Sequence, residues 1–586
     1  RACPPGARAK AGVMASRRPA MQPLLPPRAL GTEGSPRKAG VEERTPRSSI
    51  EEEPPPEGLW PRTRQWAGMA LAVLVSSIVL AAVLALAPVL LAARLYRAVR
   101  FRGLQFRRRP EDLRVAVVGG GFVGAQAAAR LHELGVRDLT CYEKNDGFGG
   151  TFHASRAYHG LQIHGPMWIT SFKDYPYSPS RDEMDGKVRS DIFTKYMDDF
   201  AEAKDIRKHY ELNSKVNAVK YDSRQRKARV VVENTLTQQE REDGPFDLVL
   251  FASLADGGTV PVLPGAGDFR GRSIHAMQCN TELIRDIVAR EQKVVIVGGS
   301  KTASDMVLAF HWEGHENLEW VYRKPYIFWK YERVFHDRSL FNVLGGVVTI
   351  VAFLVSVIPG ALFLSALLLD LAGIDYMCGK RHRDYKKFHF GILCPRQRRG
   401  LMESQERHVV GDPSHFTPSG LVLRDGRCVE CDVVIWATGR ATGFEDLALE
   451  KDGQPFAAGG ELYQYLFEPR LPALAVASSL FVTYGPMRGC NAAELAVYTL
   501  CVDQLRSEDW MEASARRNWT SSATGQSELF QSSNPFMRFM GLQVLNHVFR
   551  GLITMEAFFC HFAEMFLLGN QRPLRMDVFP ARRAKA

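Results

Sequence analysis

Two glycine-rich turns, each following an apolar run and preceding a stretch of helix-forming residues, restrict this chain more than any other feature. The first is Gly119-Gly120-Gly121-Phe122-Val123-Gly124, after Val115-Ala116-Val117-Val118 and before a segment carrying Ala125, Ala127, Ala128 and Ala129. Strand, tight turn and helix are the context in which glycines let the backbone approach a pyrophosphate at a helix N-terminus. A second apolar run, 139–142, ends at Glu143, about 20 residues past the turn, where an acidic side chain takes ribose hydroxyls. Gly119, Gly121, Gly124 and Glu143 are therefore the expected residues of a dinucleotide site.

About 180 residues later, Val294-Val295-Ile296-Val297 runs into Gly298-Gly299-Ser300-Lys301-Thr302-Ala303, followed by a helical stretch through Asp305, Met306 and Val307. Ser300 replaces a glycine of the fingerprint. The next apolar run, 318–321, leads into Tyr322-Arg323-Lys324, where a cation pairs with a 2′-phosphate and favours NADPH over NADH. Gly298, Ser300, Thr302 and Arg323 are the expected residues of this second site. Two such turns imply two nucleotide cofactors facing each other. The fold class expected is α/β: two Rossmann-like dinucleotide-binding domains, the second inserted in the first, with an N-terminal transmembrane helix.

That helix is expected over residues 66–93, which contain no charged residue. At 1.5 Å per residue the run reaches about 40 Å, against a hydrocarbon core of about 30 Å. Arg94, Arg97, Arg100, Arg102, Arg107, Arg108 and Arg109 follow it, whereas Arg62 and Arg64 lie close on the other side. Positive flanks stay cytoplasmic, so the expected arrangement is single-pass with the main body facing the cytosol. A second uncharged stretch occupies 339–369. A single crossing there would separate the two glycine turns across the bilayer, and Pro359-Gly360 cuts the stretch into halves too short to span. A hairpin dipping into one leaflet is expected, with a buried helix pair as the alternative.

Net charge is +11 over 586 residues. The excess concentrates in the N-terminal tail, 94–109 and 380–399, with no aromatic-basic repeat or zinc-finger spacing. This favours an anionic membrane surface over nucleic acid as partner. Ten cysteines lack framework spacing, as in a reducing compartment. Cys428-Val429-Glu430-Cys431 has dithiol spacing but runs into a strand instead of opening a helix, where a thiolate would be stabilised. No His-Glu-x-x-His, no His/Cys ligand cluster and no Gly-x-Ser-x-Gly elbow occurs, so neither metal hydrolysis nor serine catalysis is expected.

The expected organisation is a disordered tail at 1–65, with Met14 and Met21 as candidate starts, the helix at 66–93 and a basic linker at 94–112. The first part of one nucleotide domain follows at 113–285, then the second domain at 286–425, carrying the apolar hairpin 339–369. The return of the first domain covers 426–510, where Val433–Trp436 reads as a buried strand and residues 471–504 complete the first sheet. A helical region closes the chain at 511–586.

From about residue 113 to 505 the chain resembles flavin-containing monooxygenases and their Baeyer-Villiger relatives. The first glycine turn matches that family's FAD motif. Gly149-Gly150-Thr151-Phe152 looks like its Gly-Gly-x-Trp flavin motif, and Phe172-Lys173-Asp174-Tyr175-Pro176 is similar to its Phe-x-Asp-Phe-Pro stretch. Phe269-Arg270-Gly271-Arg272-Ser273-Ile274-His275 fits its Phe-x-Gly-x-x-x-His pattern, with Cys279 at the closing position. Ala437-Thr438-Gly439 matches its late FAD-domain turn, so Thr438 and Gly439 join Gly149, Gly150, Thr151 and Phe152 as cofactor residues. Departures are His164 where many members carry Asn, Leu254 where a glycine is expected, and Ser300 and Thr302 in the second turn.

The resemblance implies FAD and NADPH as cofactors and the transfer of one oxygen atom from O2, through a C4a-hydroperoxyflavin, to an amine, thioether or ketone. It also implies a lipophilic small-molecule substrate, with His164 donating a hydrogen bond to the peroxide and His275 serving linker geometry. Attachment to the endoplasmic reticulum, facing the cytosol, is the expected location. Alternatives are a flavoprotein that binds FAD for structure or partner display, a non-oxygenating NAD(P)H-flavin reductase, and a disulfide reductase using Cys428 and Cys431.

Overall fold

The computed structural model describes residues 59–85 and, with breaks, 107–516. The longest breaks are 164–187, apart from Phe172 and Tyr175, then 331–374, apart from scattered helical residues, 378–390 and 478–487.

Two parallel sheets organise the described residues. The first has the strand order Phe467–Glu468, Leu471–Val476, Leu248–Phe251, Arg114–Val118, Asp138–Tyr142, Tyr210–Glu211, parallel except for its edge pair. Its central strands are continuous apolar runs because both faces are covered. On one face lie the helices Phe122–Leu134, Ser190–Ala203 and Arg488–Cys501. On the other, Ala116, Val118, Val249 and Val476 pack against Val219, Val230 and Val232 of a second layer. That layer is a five-stranded sheet, Gln454–Phe456, Ala448–Lys451, Ser214–Asp222, Lys227–Asn234, Glu240–Phe246.

The second parallel sheet has the order Arg407–Val410, Leu318–Tyr322, Val294–Val297, Val433–Trp436, Arg272–His275. It repeats the layering. Helices Thr281–Ala289, Lys301–Trp312 and Pro395–Glu403 cover one face, while the meander Pro413–Thr417, Gly420–Leu423, Cys428–Glu430 covers the other through Phe416, Leu421, Leu423 and Val429. The strand run 471–476 and the helix Arg488–Cys501 complete the first sheet as expected from their apolar and small residues. A Cβ on Gly489 would lie 2.1 Å from the Val123 carbonyl, so this helix seats directly on Phe122–Leu134.

Three expectations need correction. Val433–Trp436 belongs to the second sheet, between Val294–Val297 and Arg272–His275, so that sheet draws strands from both sides of 286–425. A buried apolar run carries no record of which of two parallel sheets will accept it. The tail 1–65 is not wholly irregular, because a helix spans Leu59–Ala85. The transmembrane helix expected over 66–93 is not found: the described helix ends at Ala85, and among the described residues no helix is long and apolar enough to cross a membrane.

Along that helix, Met69, Ala72 and Ser76 are buried, while Trp66, Leu71, Leu74 and Ile78 are exposed. A Cβ on Gly68 would lie 2.4 Å from the Leu371 carbonyl oxygen, so the helix packs against the end of the 339–372 segment. The base of that segment is set by a small sheet in which Ile327–Lys330 pairs antiparallel with Asp375–Met377, Trp329 opposite Asp375. The chain therefore returns beside the point where it left, while the hairpin expected over 339–369 lies largely outside the described residues. Residues 94–106, the basic run 380–387 and the region beyond 516 lie outside the described residues.

At the edge of the first sheet, Glu468 is almost fully buried. One carboxyl oxygen accepts from the Arg470 amide at 3.4 Å, and the other has no hydrogen-bond partner among the described residues. Burial pushes its pKa up to about 7, against the opposing pull of Arg470. The protonated form is thus favoured by folding. This contribution to stability is full below the unfolded carboxyl's ordinary value and is lost as pH rises towards 7, by a total on the order of 3 kcal/mol. Glu468→Gln is expected to raise the midpoint of urea unfolding at pH 8 and to leave it nearly unchanged at pH 4.5. Equal shifts at both pH values would show that the carboxyl ionises freely in the fold.

Candidate functional site

The first turn is built by backbone geometry that side chains would obstruct. Gly119 sits at φ +110°, and its amide donates to the Tyr142 carbonyl at 2.8 Å, bringing the turn to the end of the neighbouring strand. A Cβ on Gly124 would lie 1.9 Å from the Gly119 carbonyl oxygen, so glycine there lets the helix Phe122–Leu134 start directly against the turn. Gly121 is the N-cap, and the atoms nearest a virtual Cβ there are Gly150 Cα at 3.4 Å and Gly150 N at 3.9 Å. The space above the helix N-terminus is thus lined by glycine backbone from two separate motifs.

Gly149 at φ +145° and Gly150 at φ +55° fold the second motif back, with the Gly149 amide donating to the Gly120 carbonyl at 3.3 Å. Thr151 and Phe152 continue in a short 3-10 turn, where the Phe152 ring meets Phe193 edge-on at 5.1 Å. Phe122 stacks on Phe172 at 4.8 Å, and Phe172 on Phe200 at 3.8 Å. Tyr196 fixes this layer by accepting from the Phe172 amide and donating to the Tyr175 carbonyl. Rings from the glycine turn, the flavin-type loop and Ser190–Ala203 form one apolar wall.

Glu143 ends the second strand and is buried. One of its oxygens accepts from the Gly120 amide at 2.5 Å, the other from the Asn145 amide at 2.9 Å and side chain at 2.7 Å. A carboxylate has about four acceptor positions, so it can still accept from a hydroxyl. Gly120 and Asn145 are parts of this site that spacing alone did not single out.

The second turn repeats the device. Gly298 has φ +141°, and a Cβ there would lie 2.3 Å from the Ala437 carbonyl oxygen. Ser300 is the N-cap of Lys301–Trp312 and makes no side-chain cap, while Thr302 is exposed in the first turn. The pairing of Trp436 with Val297 brings Ala437, Thr438 and Gly439 beside Gly298. Thr438 and Gly439, expected at the FAD end of the chain, therefore sit at the second glycine turn. His275 ties this turn down: its Nδ1 accepts from the Met277 amide at 3.2 Å, leaving Nε2–H to donate to the Gly439 carbonyl at 2.8 Å.

Lys301, unremarked in the sequence, is buried and paired with Asp305 one helical turn on. Asp305 also accepts from Tyr158 at 3.3 Å and from Gln397 at 3.5 Å. Tyr158 follows the flavin-type loop, and beside it His159 meets Glu313 at 2.9 Å while Thr281 donates to the Ala157 carbonyl. This loop links the two nucleotide units. Arg323, exposed at the end of Leu318–Tyr322, lies 3.9 Å from Asp412.

His164 and Leu254 lie outside the described residues. Among the described residues no group of three or more His, Cys, Asp or Glu could hold a metal ion. The Cys428/Cys431 pair lies on the meander behind the second sheet. Cys431 is buried there and its thiol is pushed up to about 12 by burial, the opposite of an attacking thiolate.

The family described as pyridine nucleotide-disulphide oxidoreductase matches residues 114–339, which contain both glycine turns but not Cys428 or Cys431. A Baeyer-Villiger monooxygenase of Streptomyces coelicolor is 28% identical over 200 residues, covering 34% of this chain and 35% of that protein. A probable indole-3-pyruvate monooxygenase, YUCCA10 of Arabidopsis thaliana, is 26% identical over 192 residues, covering 33% and 47%. The chain is similar to flavin-containing and Baeyer-Villiger monooxygenases. A longer match is the probable flavin-containing monooxygenase 1 of Arabidopsis thaliana, 24% identical over 373 residues, 56% of this chain and 69% of that protein. The chain spans about a third to a half of the length of the first two relatives. Among solved structures, S-allyl-L-cysteine S-oxygenase from Allium sativum overlaps with a TM-score of 0.44 at 16% identity, covering 76% of this chain and 88% of that one.

Within this chain, the Phe-x-Gly-x-x-x-His motif is a joint. Phe269 stacks on Phe416 of the meander at 4.8 Å, Gly271 leaves room for the Asp432 carbonyl, and His275 holds Gly439.

Proposed function

We propose that this chain is a FAD- and NADPH-dependent monooxygenase acting on a lipophilic small molecule. The observation that carries the reading is the glycine cradle at Gly119, Gly121, Gly124, Gly149 and Gly150, together with a second glycine turn on a second parallel sheet. Positions where a side chain would fill the space above a helix N-terminus are glycine from two motifs, which suits a pyrophosphate. When bound, the flavin reduced by NADPH activates O2 so that one oxygen atom passes to an amine, a thioether or a ketone and the other leaves as water.

The chain's own residues bind, orient and exclude water. Gly120 and Asn145 hold the Glu143 carboxylate ready for ribose hydroxyls. Phe122, Phe152, Phe172 and Phe193 supply a dry wall beside the cradle. Gly298, Ser300 and Thr302 receive the coenzyme pyrophosphate at the N-terminus of Lys301–Trp312, and Arg323 its 2′-phosphate. His164 serves as the hydrogen-bond donor near the activated oxygen. No protein nucleophile is needed.

Attachment to the cytosolic face of the endoplasmic reticulum belongs to the same proposal. Supporting it are the uncharged run 66–93, the outward Trp66, Leu71, Leu74 and Ile78, and the arginines that follow.

The test is purified full-length protein, assayed for bound flavin, NADPH oxidation and oxygen incorporation over a panel of tertiary amines, thioethers and cyclic ketones. NADPH consumption matched by oxygenated product is expected. Bound flavin with no NADPH oxidation under any condition would leave the structural-flavoprotein alternative, and oxidation without incorporation the reductase.

A further inference from the structure

Beside Arg323, a second cation comes from a different layer of the fold. Arg424 follows the strand Gly420–Leu423 of the meander, and its guanidinium lies 2.8 Å from Asp412. Arg323 approaches the other oxygen of the same carboxylate at 3.9 Å. Backbone bonds fix the group: the Gly411 amide donates to the Tyr322 carbonyl at 3.0 Å, and the Arg424 amide to the Asp412 carbonyl at 2.9 Å. Both guanidiniums are 74% exposed, so neither charge is committed to the core. Nearby Arg427, by contrast, is bound to Asp425 and to the Val410 carbonyl.

The location gives the cluster its meaning. Leu318–Tyr322 and Arg407–Val410 are neighbouring parallel strands, so Arg323 and Asp412 both lie outside carboxyl ends of the sheet, on the side where nucleotides bind. Two guanidiniums around one carboxylate leave a net charge of +1. A phosphate monoester, with about −1.5 to −2 charges and three acceptor oxygens, satisfies both forks better than the single carboxylate does.

We infer that Arg424 and Arg323 together clamp the 2′-phosphate of the coenzyme, and that Asp412 holds the two guanidiniums in place until the phosphate displaces it. The inference rests on the coenzyme reading proposed above. Arg424 and Asp412 then set selectivity for NADPH over NADH, with Asp412 working against phosphate entry and Arg424 for it. Arg424 is distant in sequence from the second glycine turn, and only the meander brings it to the end of that strand.

The experiment is calorimetric binding of NADP+, NAD+ and 2′,5′-ADP to the purified flavin-loaded full chain and to Arg424→Ala, Arg424→Lys and Asp412→Asn, with thermal melts to confirm folding. Arg424→Ala is expected to weaken NADP+ and 2′,5′-ADP about tenfold or more and to leave NAD+ unchanged, with Arg424→Lys in between. Asp412→Asn is expected to tighten NADP+ about threefold or more, which a purely structural role for the cluster would not produce. Unchanged NADP+ affinity in Arg424→Ala, with binding by the parent chain intact, would overturn the clamp and spare the coenzyme reading. Equal loss of NAD+ and NADP+ would overturn it as a general distortion. Failure of the parent chain to bind either coenzyme would overturn both.

Discussion

Gly124→Ala is expected to yield protein that has lost its flavin. The new methyl carbon would sit 1.9 Å from the Gly119 carbonyl oxygen, and the contact is with backbone, which cannot swing aside. Relief requires the helix Phe122–Leu134 to move away from the turn, opening the N-terminus that receives the pyrophosphate. Strain of about 2–4 kcal/mol charged against binding corresponds to roughly 30- to 700-fold weaker flavin retention. The ratio of flavin to protein absorbance after gel filtration measures it. A variant as yellow as the parent chain would mean that the cofactor does not sit on this turn.

The second large effect is expected from Gly298→Ala, with the opposite selectivity. Here φ is +141° and the added carbon would lie 2.3 Å from the Ala437 carbonyl. The variant should keep its flavin while NADP+ binding weakens by a similar roughly 30- to 700-fold. Because Gly439 is held by His275, displacement of Ala437 also disturbs the loop carrying Thr438. Spectroscopic titration with NADP+ separates the two sites. Loss of both cofactors together would argue that the two turns do not act as independent cradles.

Both glycine turns were legible because their chemistry is local. Strand, turn and helix are consecutive, and the spacing from Gly119 to Glu143 reports a single crossover between adjacent parallel strands. Completion of the first sheet by 471–476 could be read for the same reason, as an apolar strand with few places left to go. Membership of Val433–Trp436 in the second sheet was not legible, because four buried apolar residues pair equally well with any parallel neighbour. The link from Tyr158 to Asp305 and the approach of Arg424 to Asp412 join residues far apart in sequence, and no spacing rule registers them. The buried Lys301 had a faint signal: a cation in the first turn opposes the helix dipole and so calls for a nearby carboxylate, which Asp305 provides.

The pairing of Ile327–Lys330 with Asp375–Met377 gives the intervening segment an unusual independence. Its two ends meet across one strand spacing, about 5 Å, so the nucleotide sheet has no means of sensing how much chain hangs beyond them. Such a neck allows the sequence between the two strands to be lengthened, exchanged or pared back while the two glycine turns keep their shape. The sequence between those two strands can thus diverge separately from the sequence that builds the glycine turns.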